Sequence, residues 1–254
     1  MNARMYSVNA ATAAAWVTVL RWAIQRADVD ADVIDYPAPR PLSALWARDD
    51  LAAVFMCGHP FAVAQPQLVA VAAPVPSLPA YHDAPVYWSC IVARNESGIR
   101  SLADTLSRRM AYTTPDSQSG YLALRALVAG NPHPFSAMVG PLVTPRRVVE
   151  AVLSGEADAG PVDSYALDLM RLHEPELVAP LRVVATTPPT PIPLLVASPS
   201  VPAAQIDRLR AALADVGDAP ALADARAALL LRRFAAVEAC AYEVLRQPVG
   251  EALI

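Results

Sequence analysis

Between residues 86 and 197 the chain alternates short apolar runs with amphipathic segments, and this alternation restricts its fold more than any other feature. Residues 86–93, 109–113, 157–162, 181–187 and 194–197 read as strands, with helices over 99–106, 120–129, 146–153 and 164–172. Strands separated by helices are joined by crossovers, which predicts an α/β fold around a mostly parallel sheet. Upstream, Trp16, Val19, Leu20, Ala23 and Ile24 recur at helical spacing within residues 11–26 and predict one buried stripe. Residues 31–36 read as a further strand, and residues 51–57, almost wholly apolar, as a strand covered on both faces. Pro60, Pro66, Pro74, Pro76, Pro79 and Pro85 break any helix and predict extended pieces and turns there. Two amphipathic helices, over 203–216 and 219–234, are expected to close the chain.

At roughly 150 residues per domain, 254 residues allow one large domain or two modest lobes. All 20 cationic residues are arginine. Without lysine there is no Walker A loop, no pyridoxal Schiff base and no Ser-x-x-Lys acyl-transfer site, since each needs an amine at a fixed place. The net charge of −4 gives no electrostatic footprint for nucleic acid. The nine glycines form no Gly-x-Gly-x-x-Gly, so no nucleotide fingerprint is present. Cys57, Cys90 and Cys240 are odd in number and far apart, which excludes a paired disulfide framework and a Cys-x-x-Cys site. His82, His133 and His173 lack a helically spaced histidine partner, so neither a metal nor any other cofactor is expected. No apolar run approaches 18 residues and no convincing signal peptide opens the chain, so membrane insertion is not expected.

The residues that could carry chemistry sit where strands turn into helices. Thr113-Thr114-Pro115-Asp116-Ser117-Gln118-Ser119-Gly120-Tyr121 leaves a strand and opens into a helix. Backbone N–H groups at such a start, joined by Ser117, Gln118 and Ser119, suit a carboxylate or another oxyanion without a cation; the same residues also serve as plain caps. Thr144-Pro145 and Asp163-Ser164 repeat the construction, and in an open α/β sheet such starts gather at the strands' carboxyl ends. An Asp163 carboxylate there would suit an amino group. Cys57-Gly58-His59 ends a buried strand; with no third group to orient a Cys-His pair, a small buried thiol and a hydrogen-bonding imidazole are the expectation. Tyr6, Tyr81, Tyr87 and Trp88 are suited either to line a pocket or to fill the core.

The stretches YWSCIVAR (87–94), ESGIRSLAD (96–104), 115–121 and VEAVLSGEADAGPV (149–162) followed by Asp163-Ser164 resemble the phosphonate/phosphite-type solute-binding proteins of ABC transporters. The resemblance covers about residues 50 to 200. It implies a two-lobe type 2 periplasmic-binding-protein fold with two crossing hinge strands, 86–93 and 181–187. One lobe would hold residues 1–91 and 185–254, the other 92–184. By position it implies that Tyr87, Ser117, Gln118, Ser119, Thr144 and Asp163 touch a small polar solute, with Tyr6, Gly58 and His59 supplied by the first lobe. Phosphonate binders of the family tend to carry a hydroxyl at Gln118 and a histidine near Thr144-Pro145-Arg146, so the amide also suits a carboxylate or a neutral solute. The implied protein is a monomer without catalytic residues that delivers solute to an ABC permease, periplasmic if a signal peptide was trimmed and otherwise cytoplasmic. The alternative is a cytosolic enzyme on this fold, of the chorismate-dehydratase type, acting on a small carboxylate.

Overall fold

The first long helix, α1 (Ala10–Ala27), starts because Asn9 and Thr12 cap each other: the Asn9 side chain accepts from the Thr12 amide at 2.9 Å, and Thr12 Oγ1 accepts from the Asn9 amide. It buries Trp16, Val19, Leu20 and Ala23, as their spacing predicts. The computed structural model describes residues 1–64, 67–131 and 134–246; Pro66, His133 and the chain from residue 247 lie outside the described residues. After α1 come α2 (Leu42–Trp46), β1 (Val54–Met56), α3 (Gly58–Val63) and β2 (Val69–Pro76). β3 (Val86–Tyr87) is followed by β4 (Ser89–Arg94), β5 (Arg109–Ala111), α4 (Ala123–Leu127), β6 (Ala137–Val139), α5 (Pro145–Ser154) and β7 (Ala159–Asp163). Then follow α6 (Ser164–His173), α7 (Pro175–Val178), β8 (Leu181–Thr186), β9 (Thr190–Pro191), β10 (Leu194–Ala197), α8 (Ala203–Ala214), α9 (Ala223–Ala228) and β11 (Leu231–Ala235).

The chain groups into two units, Met1–Val86 with Pro191–Arg246, and Tyr87–Thr190. β4, which a boundary at residue 91 would divide, lies wholly in the second. The first unit holds a sheet of order β1-β10-β2-β11, the second a sheet of order β6-β5-β7-β4-β8, and β3 pairs with β9.

The expectation of a mostly parallel sheet is corrected. In the second unit β5 runs parallel to β6 and β7, while β4 is antiparallel to both β7 and β8. In the first unit the recorded pairings of β1, β10, β2 and β11 are all antiparallel. A helical crossover makes strands parallel only when it joins them. β4 and β10 each follow a crossing segment instead, and each sits antiparallel between two strands that share a direction: β4 between β7 and β8, β10 between β1 and β2.

Several local expectations also give way. Residues 31–36 form no strand; the Ile34 amide donates to the Met1 carbonyl and Asn2 Nδ2 to the Ile34 carbonyl, which anchors the segment without a ladder. In place of a helix over 99–106 there is one tight turn, Ala103–Thr105, because Asp104 Oδ2 accepts from the amides of Arg100 and Ser101. The closing helix expected over 219–234 breaks at Leu230 (φ +47°), and residues from Leu231 pair with β2.

The second unit's core joins Ile91, Ala93, Ile99, Met110, Leu124 and Ala159 between sheet and α4. Each large apolar side chain so buried is worth about 1.5–3 kcal/mol, enough to fix the strand ends that carry the polar residues described next.

Candidate functional site

Because β5, β6 and β7 run parallel, their carboxyl ends share one edge of the second unit's sheet. A polar helix start follows each. After β5, Ser117 caps the turn Gln118–Leu122 and its Oγ accepts from the Gly120 amide at 3.0 Å. This first turn is wide: the Leu122 amide reaches back to the Ser117 carbonyl, five residues away, at 2.9 Å. Gln118 and Ser119 are buried within it. Gly120 is required, because a Cβ there would lie 1.9 Å from Thr113 Oγ1. The Thr113 hydroxyl is itself buried and has no hydrogen-bond partner among the described residues.

After β6, the amides of Leu142 and Val143 donate to the carbonyls of Tyr112 and Thr113, each at 3.0 Å, which ties the incoming loop to the end of β5. Thr144 then caps α5 through the Arg147 amide at 3.2 Å, with Pro145 in the first turn. Val143 adopts a left-handed conformation (φ +68°), costly for a β-branched residue and held by those two bonds. After β7, Asp163, 5% exposed, caps α6 by accepting from the Ala166 amide at 2.9 Å. Tyr87 is fully buried at the start of this unit.

Burial, with Asp163 adding its charge, pushes the Tyr165 phenol far up and keeps it neutral. Arg146 and Arg147 are engaged with carboxylates. Arg146 meets Glu174 at 2.6 Å and Glu150 at 3.0 Å, and Arg147 meets Glu150 at 2.7 Å.

The three residues expected from the first lobe lie in the first unit. Tyr6 is 1% exposed, stacked edge-on to Phe55 at 5.3 Å, with its carbonyl accepting from Trp16 Nε1. Gly58 and His59 open α3 beneath a turn, Ala239–Arg246, that the sequence did not announce. A Cβ on Gly58 would lie 2.4 Å from Leu245 Cδ1, and His59 Nδ1 donates to the Leu245 carbonyl at 2.8 Å. Cys57 is buried, as expected of a small apolar group. Burial also pushes the Cys90 thiol up to about 12. Among the described residues, no three His, Cys, Asp or Glu side chains are placed to hold a metal ion.

Ser89 and Thr187 were not singled out from the sequence. Both are buried; Thr187 Oγ1 also donates to the adjacent Pro188 carbonyl, but the bonds that join Ser89 to Ser119 and to Thr187 span 30 and 98 residues, and nothing local marks them.

Residues 42–242 match the model of the phosphonate ABC transporter family of periplasmic substrate-binding proteins. The chain belongs to this family. No curated protein sequence matches it. A binding-protein component of a phosphonate ABC transporter from Pseudomonas aeruginosa is 20% identical, with a TM-score of 0.75 over 92% of this chain and 80% of its own. PhnD1 from Prochlorococcus marinus, solved with methylphosphonate, is 16% identical, with a TM-score of 0.78 over 98% and 95% of the two chains. XAC2383 from Xanthomonas citri, solved with ATP, is 17% identical, with a TM-score of 0.64 over 96% and 97%. The two-lobe periplasmic-binding-protein fold implied by the sequence is therefore the fold of this chain. As a phosphonate-family binding protein it is a substrate-binding component of an ABC transporter. No helix among the described residues is long and apolar enough to cross a membrane.

Proposed function

We propose that this phosphonate-family binding protein captures a small oxyanion, a phosphonate or a carboxylate, at the Ser117–Ser119 helix start. Tyr87, Thr144 and Asp163 complete the contacts, Tyr6, Gly58 and His59 come from the first lobe, and the lobes close on the solute. One observation carries the reading: the parallel pairing of β5 with β6 and β7, which gathers three polar helix starts at one sheet edge. Hydroxyl, amide and backbone N–H donors stabilise an oxyanion without a formal cation, and Arg146 and Arg147 are already ion-paired. Asp163 favours a solute that also carries an amino group. The methylphosphonate in PhnD1 puts phosphonates first among the compounds to try.

The protein works as a monomer that hands its solute to a permease in the periplasm, and it makes no covalent change to the solute. The match to a family of transporter binding proteins supports that reading.

The test is thermal unfolding against methylphosphonate, aminoalkylphosphonates, phosphate, phosphite and short carboxylates. A solute bound only by the folded state raises stability by RT ln(1 + [L]/Kd), roughly 2.7 kcal/mol at 100 Kd. The expected result is a shift with one of these classes, lost in the folded Ser117→Ala/Ser119→Ala double variant, and a bound solute recovered chemically unchanged. Unaltered affinity in that variant would sink the site, and a converted solute would restore the enzyme reading.

A further inference from the structure

The segments that cross between the units meet the second unit at the edge where the three helix starts lie. β4 begins with Ser89 opposite Asp163, and β8 ends with Thr186 opposite Cys90. Ser89 is 1% exposed and has each of its polar groups engaged. Its amide donates to Thr187 Oγ1 and its carbonyl accepts from the Thr187 amide, both at 3.0 Å, which binds the outgoing crossing to the returning one. Its hydroxyl donates to the Ser119 carbonyl at 2.7 Å. One residue earlier, the Trp88 amide donates to Ser164 Oγ at 3.2 Å and the Trp88 carbonyl accepts from the Ser164 amide at 2.9 Å, which ties the same crossing to the start of α6.

The peptide that receives the Ser89 hydroxyl is also the one that Ser117 caps. The Ser119 carbonyl and the Gly120 N–H belong to a single planar unit, so they rotate together. Ser89 Oγ holds the carbonyl end and Ser117 Oγ holds the N–H end at 3.0 Å. A solute that draws on Ser117 must turn this plane or stiffen it, and either change reaches Ser89 through a buried bond. From Ser89 it passes to both crossings at once through Thr187.

We propose that Ser89 is the positioning residue that couples occupancy of the Ser117–Ser119 turn to the two crossing segments. The inference rests on the solute site assigned above. It makes capture and movement at the crossings one equilibrium, in which a ligand shifts the population by its differential affinity for the two states.

The test uses the full-length protein and has an arm that needs no solute. Ser89→Ala is compared with wild type by native-state hydrogen exchange, reading the Gly120 and Thr187 amides. Thr105→Ala is the control, since Thr105 is equally buried in the same unit and its hydroxyl bonds only the Leu102 carbonyl, at 2.6 Å. Coupling predicts that Ser89→Ala speeds both amides together, by about tenfold, that Thr105→Ala speeds neither, and that Ser89→Thr restores protection. Acceleration of one amide alone, of neither, or of both in the control overturns the proposal. Should Ser89→Ala not fold, Thr187→Ala cuts the tie from the returning side and is expected to expose the Gly120 amide; an unchanged Gly120 rate there overturns it equally. In the second arm, methylphosphonate titration is expected to show weaker binding by about tenfold in Ser89→Ala, recovered in Ser89→Thr. Wild-type affinity in Ser89→Ala refutes the coupling and leaves the site standing. A wild type that binds no oxyanion of the panel removes the site, while the exchange arm still decides whether Ser89 joins the turn to the crossings.

Discussion

Gly120 and Thr113 approach so closely that a Cβ on the glycine would lie 1.9 Å from the threonine Oγ1 and 2.9 Å from its Cβ. The pair fixes the height at which the Ser117–Ser119 turn rides on the end of β5, and the Thr113 amide donating to the Gly120 carbonyl at 3.3 Å holds the same spacing. Gly120→Ala must therefore lift the turn off the strand. The expected cost is about 1–3 kcal/mol of stability, the range for overpacking a tight interior. Chemical denaturation would measure it, and solute binding should fall with it. Thr113→Ala in the same chain should recover part of the loss, because the Oγ1 clash goes while the Cβ one stays.

Thr113 offers a cleaner separation of stability from function. Its hydroxyl is buried without a partner among the described residues, and an unpaired buried hydroxyl costs about 1–3 kcal/mol. Thr113→Val keeps the shape and removes the polar atom, so the solute-free protein should become more stable by up to about 1 kcal/mol. A hydroxyl that serves the solute makes affinity fall at the same time. Stability and affinity moving in opposite directions is the outcome to seek in paired melting and calorimetric titrations.

The acid side of the stability curve should report Asp158. Its carboxylate accepts from the Arg109 guanidinium at 2.8 and 3.1 Å and from the Arg109 amide at 2.9 Å, and the Arg109 side-chain bonds hold it below the usual carboxylate range. A carboxyl whose folded value is depressed contributes stability that is present above its unfolded value near 4 and disappears as pH falls through the folded one. Asp158→Asn should therefore flatten the decline in melting temperature below about pH 4 and leave its course above pH 5 unchanged. An equally steep decline in the variant would assign the acid sensitivity elsewhere.

In the first unit, Tyr242 anchors the turn that covers Gly58 and His59. It is fully buried, donates to the Ile192 carbonyl at 2.7 Å and stacks edge-on to Phe61 at 5.3 Å. Tyr242→Phe keeps the ring and leaves the Ile192 carbonyl unpaired, at a cost of about 1–2 kcal/mol. For a chain of this size that lowers the melting temperature by roughly 2–4 °C per kcal/mol. The His59 environment, read by its imidazole resonances, should shift as the Leu245 carbonyl loosens.

Where the sequence pattern and the structure coincide, the cause is local. α5 and α6 begin at Thr144-Pro145 and Asp163-Ser164 because those residues cap a helix wherever they stand. β10 is Leu194–Ala197 as its apolar run between proline clusters predicts. The site motifs were visible for the same reason, since a cap and a ligand cradle use the same side chains. Where they part, the cause is a distant partner. Leu222, Ala225 and Leu229 have helical spacing, yet Leu231 and Phe234 find β2 and extend opposite Pro76 and Pro74. Residues 31–36 have strand composition, yet Ile34 is held by bonds to Met1 and Asn2 and not by a ladder.

By itself, then, the sequence determined the α/β class, the polar helix starts and the family, because periodicity and capping are properties of neighbours along the chain. Strand direction, the close seat of Gly120 on Thr113, the cover over Gly58 and His59 and the junction at Ser89 were decided only by tertiary structure. Each depends on groups between 7 and 187 residues apart meeting at hydrogen-bonding or van der Waals distance, and no local propensity encodes such a meeting.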